Sequence, residues 1–488
     1  MKVLMYAPFA KWGPHLETDL EIAENHLRAG DQVVWVGCGG ELEACEPNVE
    51  HAARDCAKCV GRGNAGVALL AGSVERIRSS DLWSVEDEAR VGAIPTRFAD
   101  HDELKAVMLD TFDIGYATLS SIVWCDRDAN VDLGHKTPRL GRFLRSAGMT
   151  YLGMRRYLAA HPVDRVYVFN GRMAAPRGAL RAAQDLGIPV FVHERGCDVT
   201  RYALTPNAMP HEIRAFTQRV NERWESAEPG LLEKTEIAEA WYQRRSKGVI
   251  GHWHSFTEQQ QDGRLPAGWD ESRRNIVLYS SSEYEFASIG EEWKNHLFDV
   301  PTEGIVRIAE VLSAAGQVHL AIRMHPNPDG SQSSSAALLR GLDLPGVTVV
   351  SPESVVCSYA LMNAAEKIVV TSSTMGIEAS FWGKPSILAG RSLYCELGAA
   401  HHPQTFEELI DAIHDPDLGP VDREPALRYG YDQATFGTPF QHFVPEDLFN
   451  GPFKGVHIKP RGMDRMRVKF HSIGYRAKRL LGIGKTSS

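Results

Sequence analysis

No apolar run in this chain approaches the roughly 18 residues needed to span a bilayer, which excludes a multispanning membrane protein. Positive charge is not in excess either. The formal net charge is −9, the wrong sign for a general nucleic-acid binder. Cysteine is sparse, with eight residues in 488. The opening apolar run from Val3 to Ala10 is broken by Pro8 and followed by Lys11, so it is too short for the core of a secretory signal. It reads as the first buried strand of a cytoplasmic protein whose thiols stay reduced. The chain also lacks a tandem repeat of about 20–50 residues, a G-x-G-x-x-G after the first strand, and a D-x-D at a strand end. Neither a solenoid nor a dinucleotide fingerprint is therefore expected, and no catalytic metal.

What is present is ordinary globular composition, 43% hydrophobic and 24% charged. The length suggests two or three domains. Apolar runs alternate with helical spacing. Strands are expected at Lys2–Ala7, Gln32–Val36, Arg165–Phe169 and Val190–His193, with helices over Thr18–Ala29 and Ala174–Leu186. Residues 200–245 read as polar and helical, with no clear strand. A second alternation begins near 275, with strands at Asn275–Tyr279, Val318–Met324, Val347–Val350, Lys367–Thr371 and Pro385–Leu388. The pattern implies an α/β protein of βαβ units. Its divisions are an N-terminal domain over 1–245 with a cysteine-containing insertion, a C-terminal domain over 246–450, and a basic tail over 451–488.

Chemistry-bearing residues gather where strands end, which is where open α/β sheets bind ligands. The run Thr371-Ser372-Ser373-Thr374 follows an apolar strand and opens a helix, an arrangement that suits phosphate. Glu378 lies one turn further on, to cap that helix or to hold a ribose. Arg323-Met324-His325-Pro326-Asn327 ends another strand. His325 could hydrogen-bond a leaving phosphate, and Arg323 could pair with its charge. Ser281 sits in a third hydroxyl loop. In the first half, Asn170 and Arg172 could hold an acceptor. Glu194 could serve as general base, unless it is paired with Arg195. His15 and Glu17, after Gly13, are a rival location for that base.

Two features stand apart. Cys38, Cys45, Cys56 and Cys59 fall within 22 residues. Four thiolates could hold a structural Zn²⁺, with an iron–sulfur cluster, a disulfide or four free thiols as alternatives. Residues 454–488 carry ten Lys/Arg against one acid, Asp464, a net of +9 that leaves the rest of the chain at −18. Met463, Met466, Phe470, Ile473, Ala477 and Leu480 recur there at helical spacing, with basic residues on the other faces. This reads as a basic amphipathic helix for an anionic membrane surface, or one docked on the acidic body.

The His325-Pro326 pair and the segment Thr371-Ser372-Ser373-Thr374-Met375-Gly376-Ile377-Glu378-Ala379, with Gly383-Lys384-Pro385-Ser386, resemble the paired motifs of bacterial capsule polysaccharide biosynthesis glycosyltransferases. These are the Kdo-transferase-like group, which shares the motifs with bacterial sialyltransferases. The resemblance covers about residues 165–395. It implies a GT-B-like fold, two Rossmann-like doubly wound domains facing a cleft, and an inverting transfer from a CMP-activated acidic sugar. It implies that His325 contacts the nucleotide and that Ser372 and Ser373 bind its phosphate, and Glu194-Arg195-Gly196 is similar in form to the family's acid-before-Gly base. The acceptor would be a cell-surface polysaccharide or a glycolipid at the inner face of the cytoplasmic membrane. A sugar-nucleotide epimerase of the same architecture and a non-catalytic nucleotide-sugar-binding scaffold are the competing expectations.

Overall fold

The computed structural model describes residues 1–249, 259–327 and 332–460. Among them are twelve strands: β1 Lys2–Tyr6, β2 Gln32–Gly37, β3 Glu75–Arg78, β4 Arg165–Phe169, β5 Val190–Arg195, β6 Arg201–Pro206, β7 Asn275–Tyr279, β8 His319–Arg323, β9 Val347–Val350, β10 Lys367–Val370, β11 Ser386–Leu388 and β12 Thr438–Pro439. They form two sheets, ordered β12-β6-β5-β4-β1-β2-β3 and β11-β10-β7-β8-β9. Strands β1 to β5 pair in parallel, as do β7 to β11. Counted from its own first strand, each parallel sheet has the order 3-2-1-4-5, so each is a Rossmann-like doubly wound unit. The protein is thus an α/β chain with two such units.

The parallel strands were legible because helices cover both faces, so they read as continuous apolar runs. In the second unit Ile276 and Leu278 belong to one core layer, whereas Val277 and Tyr279 belong to the other. Three strands escaped the sequence pattern, among them the two-residue β12 at the other edge of the first sheet. β3, Glu-Arg-Ile-Arg, lies at the edge and is largely exposed, a charged edge that resists pairing with another chain. β6 runs antiparallel to β5 inside the stretch expected to lack a strand.

The boundary expected at residue 245 is also corrected. The first unit comprises 1–125, 131–210 and the chain from 437; the second comprises 126–130 and 211–436. The reason is packing. Phe216 and Val220, of helix Ile213–Glu225, and Tyr242, of helix Leu231–Ser246, join Val277 and Tyr279 in one hydrophobic cluster. The Tyr242 ring stacks on Phe381, with centroids 3.9 Å apart. An amphipathic helix does not state in its sequence which sheet it covers. Of the basic tail, residues 461–488 lie outside the described residues.

Helix His15–Arg28 organises the first unit through its acids. Glu17, Asp19, Glu21 and Glu24 are all buried. Glu17 pairs with Arg62, and Asp19 Oδ1 lies 2.7 Å from His193 Nε2. Glu24 takes Arg28, Lys454 and the Ala71 N–H. Glu21, fully buried, accepts the backbone N–H groups of Gln441, His442 and Phe443 at 2.7, 2.9 and 3.1 Å. One carboxylate thereby fixes the returning C-terminal segment. Replacing Glu21 with Ala orphans three amide donors and is expected to lower the urea unfolding transition of this unit by on the order of 4 kcal/mol. Glu21→Gln, which keeps one acceptor oxygen, should lose about half of that. An unshifted transition in Glu21→Ala would show that the clamp contributes nothing.

Candidate active site

In the second unit the sheet order reverses between β7 and β10, so the loops after these strands flank a topological switch point. Short hydroxyl side chains tie the strand ends together. Ser280 Oγ accepts the His325 N–H at 3.0 Å, joining the ends of β7 and β8. Ser281 Oγ accepts the Ser372 N–H at 3.1 Å and lies 3.3 Å from Thr371 Oγ1, joining β7 to β10. The sequence-predicted Ser281, His325 and Ser372 are therefore brought together on one sheet end.

His325 has a defined tautomer. Its Nδ1 accepts the Asn327 backbone N–H at 3.1 Å. A backbone N–H can only donate, so Nδ1 holds the lone pair and Nε2 carries the ring hydrogen. Ser282 Oγ, also 3.1 Å from Nδ1, then donates to the same atom. Burial, reinforced by the charge of Arg323, lowers the His325 pKa to about 4. The ring is neutral at pH 7 and presents an N–H donor without a charge.

Beside His325 a solvent-connected cavity of about 470 Å³ opens at the ends of β7 and β8. Ser280, Ser282, Glu283, His325 and Asn327 line it; the run 372–374 does not. Burial raises the Glu283 pKa, and its carboxylate accepts the hydroxyls of Thr302 and Ser335.

Two expected donor contacts take other roles. Arg323 is almost fully buried, and its guanidinium turns to the carbonyls of Ser351 and Ser354. It braces the loop after β9 and acts on His325 only through its charge. Glu378 is fully buried. Its Oε1 accepts Arg245 Nη2 at 2.9 Å and Thr374 Oγ1 at 3.1 Å, and its other oxygen accepts the Tyr359 hydroxyl. Glu378 is thus an internal anchor for Thr374, and the ribose contact expected of it has no support in this arrangement. The helix opened by the hydroxyl run, Met375–Phe381, is only seven residues long. Ser373 Oγ caps the Met375 N–H at 3.3 Å, and the Ser373 carbonyl accepts Tyr394 Oη at 2.6 Å. The half-buried Ser372 hydroxyl makes no hydrogen bond among the described residues. Arg245, Tyr359 and Tyr394 were missed, since nothing in their local sequence marks contact with a strand end.

In the first unit β4 ends in Asn170 and Gly171, both left-handed at φ +61° and +74°. This turn carries Asn170 Nδ2 to Glu194 Oε2 at 2.8 Å, while the Arg195 N–H reaches Glu194 Oε1 at 3.0 Å. Asn170 and Glu194 are therefore brought together, with the carboxylate oriented by two donors. Arg172 is not part of the pair. It is buried, and its Nε donates to Ser120 Oγ at 2.9 Å, which corrects its assignment to an acceptor. Of the rival residues, Glu17 is sealed inside beside Arg62, with burial raising its pKa. His15 stacks against Phe169, centroids 3.8 Å apart, and burial together with the nearby Arg195 charge holds it well below the usual imidazole range. Gly13 is required sterically, because a Cβ there would lie 2.1 Å from the Phe449 carbonyl oxygen.

The four cysteines do not make a metal site. All are free thiols, and among the described residues no group of three or more His, Cys, Asp or Glu side chains could hold a metal ion. Cys56 and Cys59 lie within helix Ala53–Val67, and each sulfur has its own protein partner: Asn48 Nδ2 donates to Cys56, and Cys59 donates to the Pro8 carbonyl. Burial raises all four pKa values, that of Cys59 to about 11. The arrangement of the described residues gives the possible structural zinc no support, and the four thiols are unbonded.

No family model matches the sequence, and no curated protein matches it. Similar solved structures include the beta-Kdo 2,4-transferase KpsC of Thermosulfurimonas dismutans, 14% identical over 56% of this chain and 88% of that one, with a TM-score of 0.34. The beta-Kdo 2,7-transferase KpsC of the same organism is 14% identical over 66% and 89%, with a TM-score of 0.33. The UDP-GlcNAc 2-epimerase of Neisseria meningitidis is 12% identical over 89% and 97%, with a TM-score of 0.24. At these scores none of the three bears on what this chain binds or does.

Proposed function

We propose that this protein is a nucleotide-sugar-dependent glycosyltransferase that builds a cell-surface polysaccharide or glycolipid. The observation that carries the reading is the neutral, donor-bearing His325 set among serine hydroxyls at the switch point of the second unit. Uncharged donors converging on one sheet end suit the oxygens of a nucleotide phosphate. The choice of a CMP-activated acidic sugar rests on the resemblance of the His-Pro and Ser/Thr motifs alone.

In this mechanism Glu194 takes the proton of an acceptor hydroxyl. The acceptor oxygen forms its bond to the anomeric carbon as the bond from that carbon to the phosphate oxygen breaks, with inversion. The leaving nucleotide departs with the electron pair, and the Nε2–H of His325 hydrogen-bonds the oxygen that gains charge. Asn170 orients Glu194 and is a positioning residue. Ser281 and Ser373 hold the loop, and the Ser372 hydroxyl is the donor group left for phosphate. The excess of basic residues in 454–488 supports an anionic membrane surface as a further partner. No helix of the described residues is long and apolar enough to cross a membrane.

Calorimetric titration with CMP, UDP and GDP tests the donor. CMP is expected to bind the wild type, and His325→Ala to weaken it by roughly tenfold or more, the loss of one hydrogen bond to a charged group. Preference for UDP or GDP would discard the acidic-sugar donor, and binding of none of the three would sink the transferase reading. Glu194→Gln should retain nucleotide affinity while turnover falls by about 10²–10⁴-fold. Undiminished turnover would remove Glu194 as the base.

The lowered pKa of His325 also sets a pH dependence. Its folded pKa of about 4 lies below the ordinary 6.5, so the unfolded chain takes the proton first. The stabilisation is complete above about pH 6.5 and is lost as pH falls towards 4. The ceiling is about 3 kcal/mol, reduced because the ring is only partly buried. Urea unfolding of wild type and His325→Gln from pH 7.5 to 4 measures it; the variant should lack this part of the acid destabilisation, and parallel curves would refute the lowered His325 pKa.

A further inference from the structure

The second unit includes a short stretch that its βαβ pattern does not account for, Asp126–Asn130. Asp128 latches it in place. Asp128 Oδ2 accepts the Ser334 N–H at 3.1 Å and Oδ1 accepts the Ser334 hydroxyl at 2.9 Å. Next to the latch, Arg127 has φ +55°, a left-handed backbone that a long side chain rarely adopts. Strain of this kind persists where the surroundings enforce it. Here it sets the guanidinium over the Tyr284 ring, 5.2 Å from the centroid, and into the lining of the cavity beside Ser282 and His325.

The electrostatics of that cavity single Arg127 out. Among the described residues lining it, Arg127 is the one permanent cation. His325 is neutral, and the Arg323 guanidinium is turned away to backbone carbonyls. The serines donate hydrogen bonds but no charge. A nucleotide brought into the cavity carries at least one full negative charge on its phosphate, and a guanidinium is the side chain best matched to it. We propose that Arg127 is the phosphate-binding cation of the nucleotide site, held over the cavity by the Asp128 latch. This rests on the reading above that the site takes a nucleotide.

Arg127→Gly tests the assignment on the full chain, because glycine suits the left-handed backbone while the charge is removed. Its melting temperature should equal or exceed that of the wild type. Titration with whichever of CMP, UDP and GDP the wild type prefers is expected to weaken about 10–100-fold in Arg127→Gly, with a flatter dependence of affinity on salt. Arg127→Lys should recover part of the affinity and the salt dependence. Unchanged affinity, or weaker binding with an unchanged salt dependence, would overturn the role of Arg127 and leave the nucleotide site standing. Failure of the wild type to bind any of the three nucleotides would overturn the nucleotide site itself, and Arg127 with it.

Discussion

A carboxylate taken out of water must find donors inside the protein, and in both units that requirement decides which segments stay together. In the first unit one helix buries four acids, and each is answered from another part of the chain: Arg62, His193, the amides of 441–443, and Lys454 with the Ala71 N–H. In the second, Glu378 performs the same office with Arg245, Tyr359 and Thr374. Removing one partner from a buried ion pair costs on the order of 3–5 kcal/mol, a large share of the stability of any domain. These groups are therefore better understood as fixing which segments meet than as generic stabilisers. The Glu378 set is the case closest to function, since it holds the loop after β10 at the switch point.

The two sheets share an order, yet their switch points are chemically unlike. That of the second unit is lined by serines, an amide and an imidazole kept neutral by burial and by Arg323, groups that donate hydrogen bonds at pH 7. The corresponding end of the first unit offers Glu194, oriented by Asn170 and a backbone N–H, a group that accepts protons. The shared order of the parallel strands supplies two equivalent places to put loops, and the residue types there differ.

How much of this was legible in the sequence depended on covering and on side-chain length. The parallel strands other than β3 were read almost residue for residue, because a strand covered on both faces has no polar alternation to confuse it. The edge strand β3 carries charge, β6 runs antiparallel inside a polar stretch, and β12 is two residues long; all three were passed over. The boundary slipped from 210 to 245 because helical amphipathicity reports that a face is buried, without saying against what. Among the site residues, the short ones landed where their strand ends put them: Ser281, Ser372, Asn170. Several of the long ones did not. Arg323, Arg172 and Glu378 begin near a strand end and reach other partners, and Arg245 and Tyr359 arrive from elsewhere to meet them.

The backbone adds what side-chain pattern cannot. Asn170 and Arg127 are both non-glycine residues in the left-handed region, one at the end of β4 and the other beside the cavity of the second unit. Asparagine tolerates that conformation because its short amide finds local partners, and here it reaches Glu194 across the turn. Arginine has no such ease, and the latch at Asp128 and the face of Tyr284 help to hold its conformation. The two residues mark the same design at two costs. In each unit a polar side chain is aimed by a left-handed backbone turn, after strand β4 for Asn170 and after helix Ile114–Asp126 for Arg127.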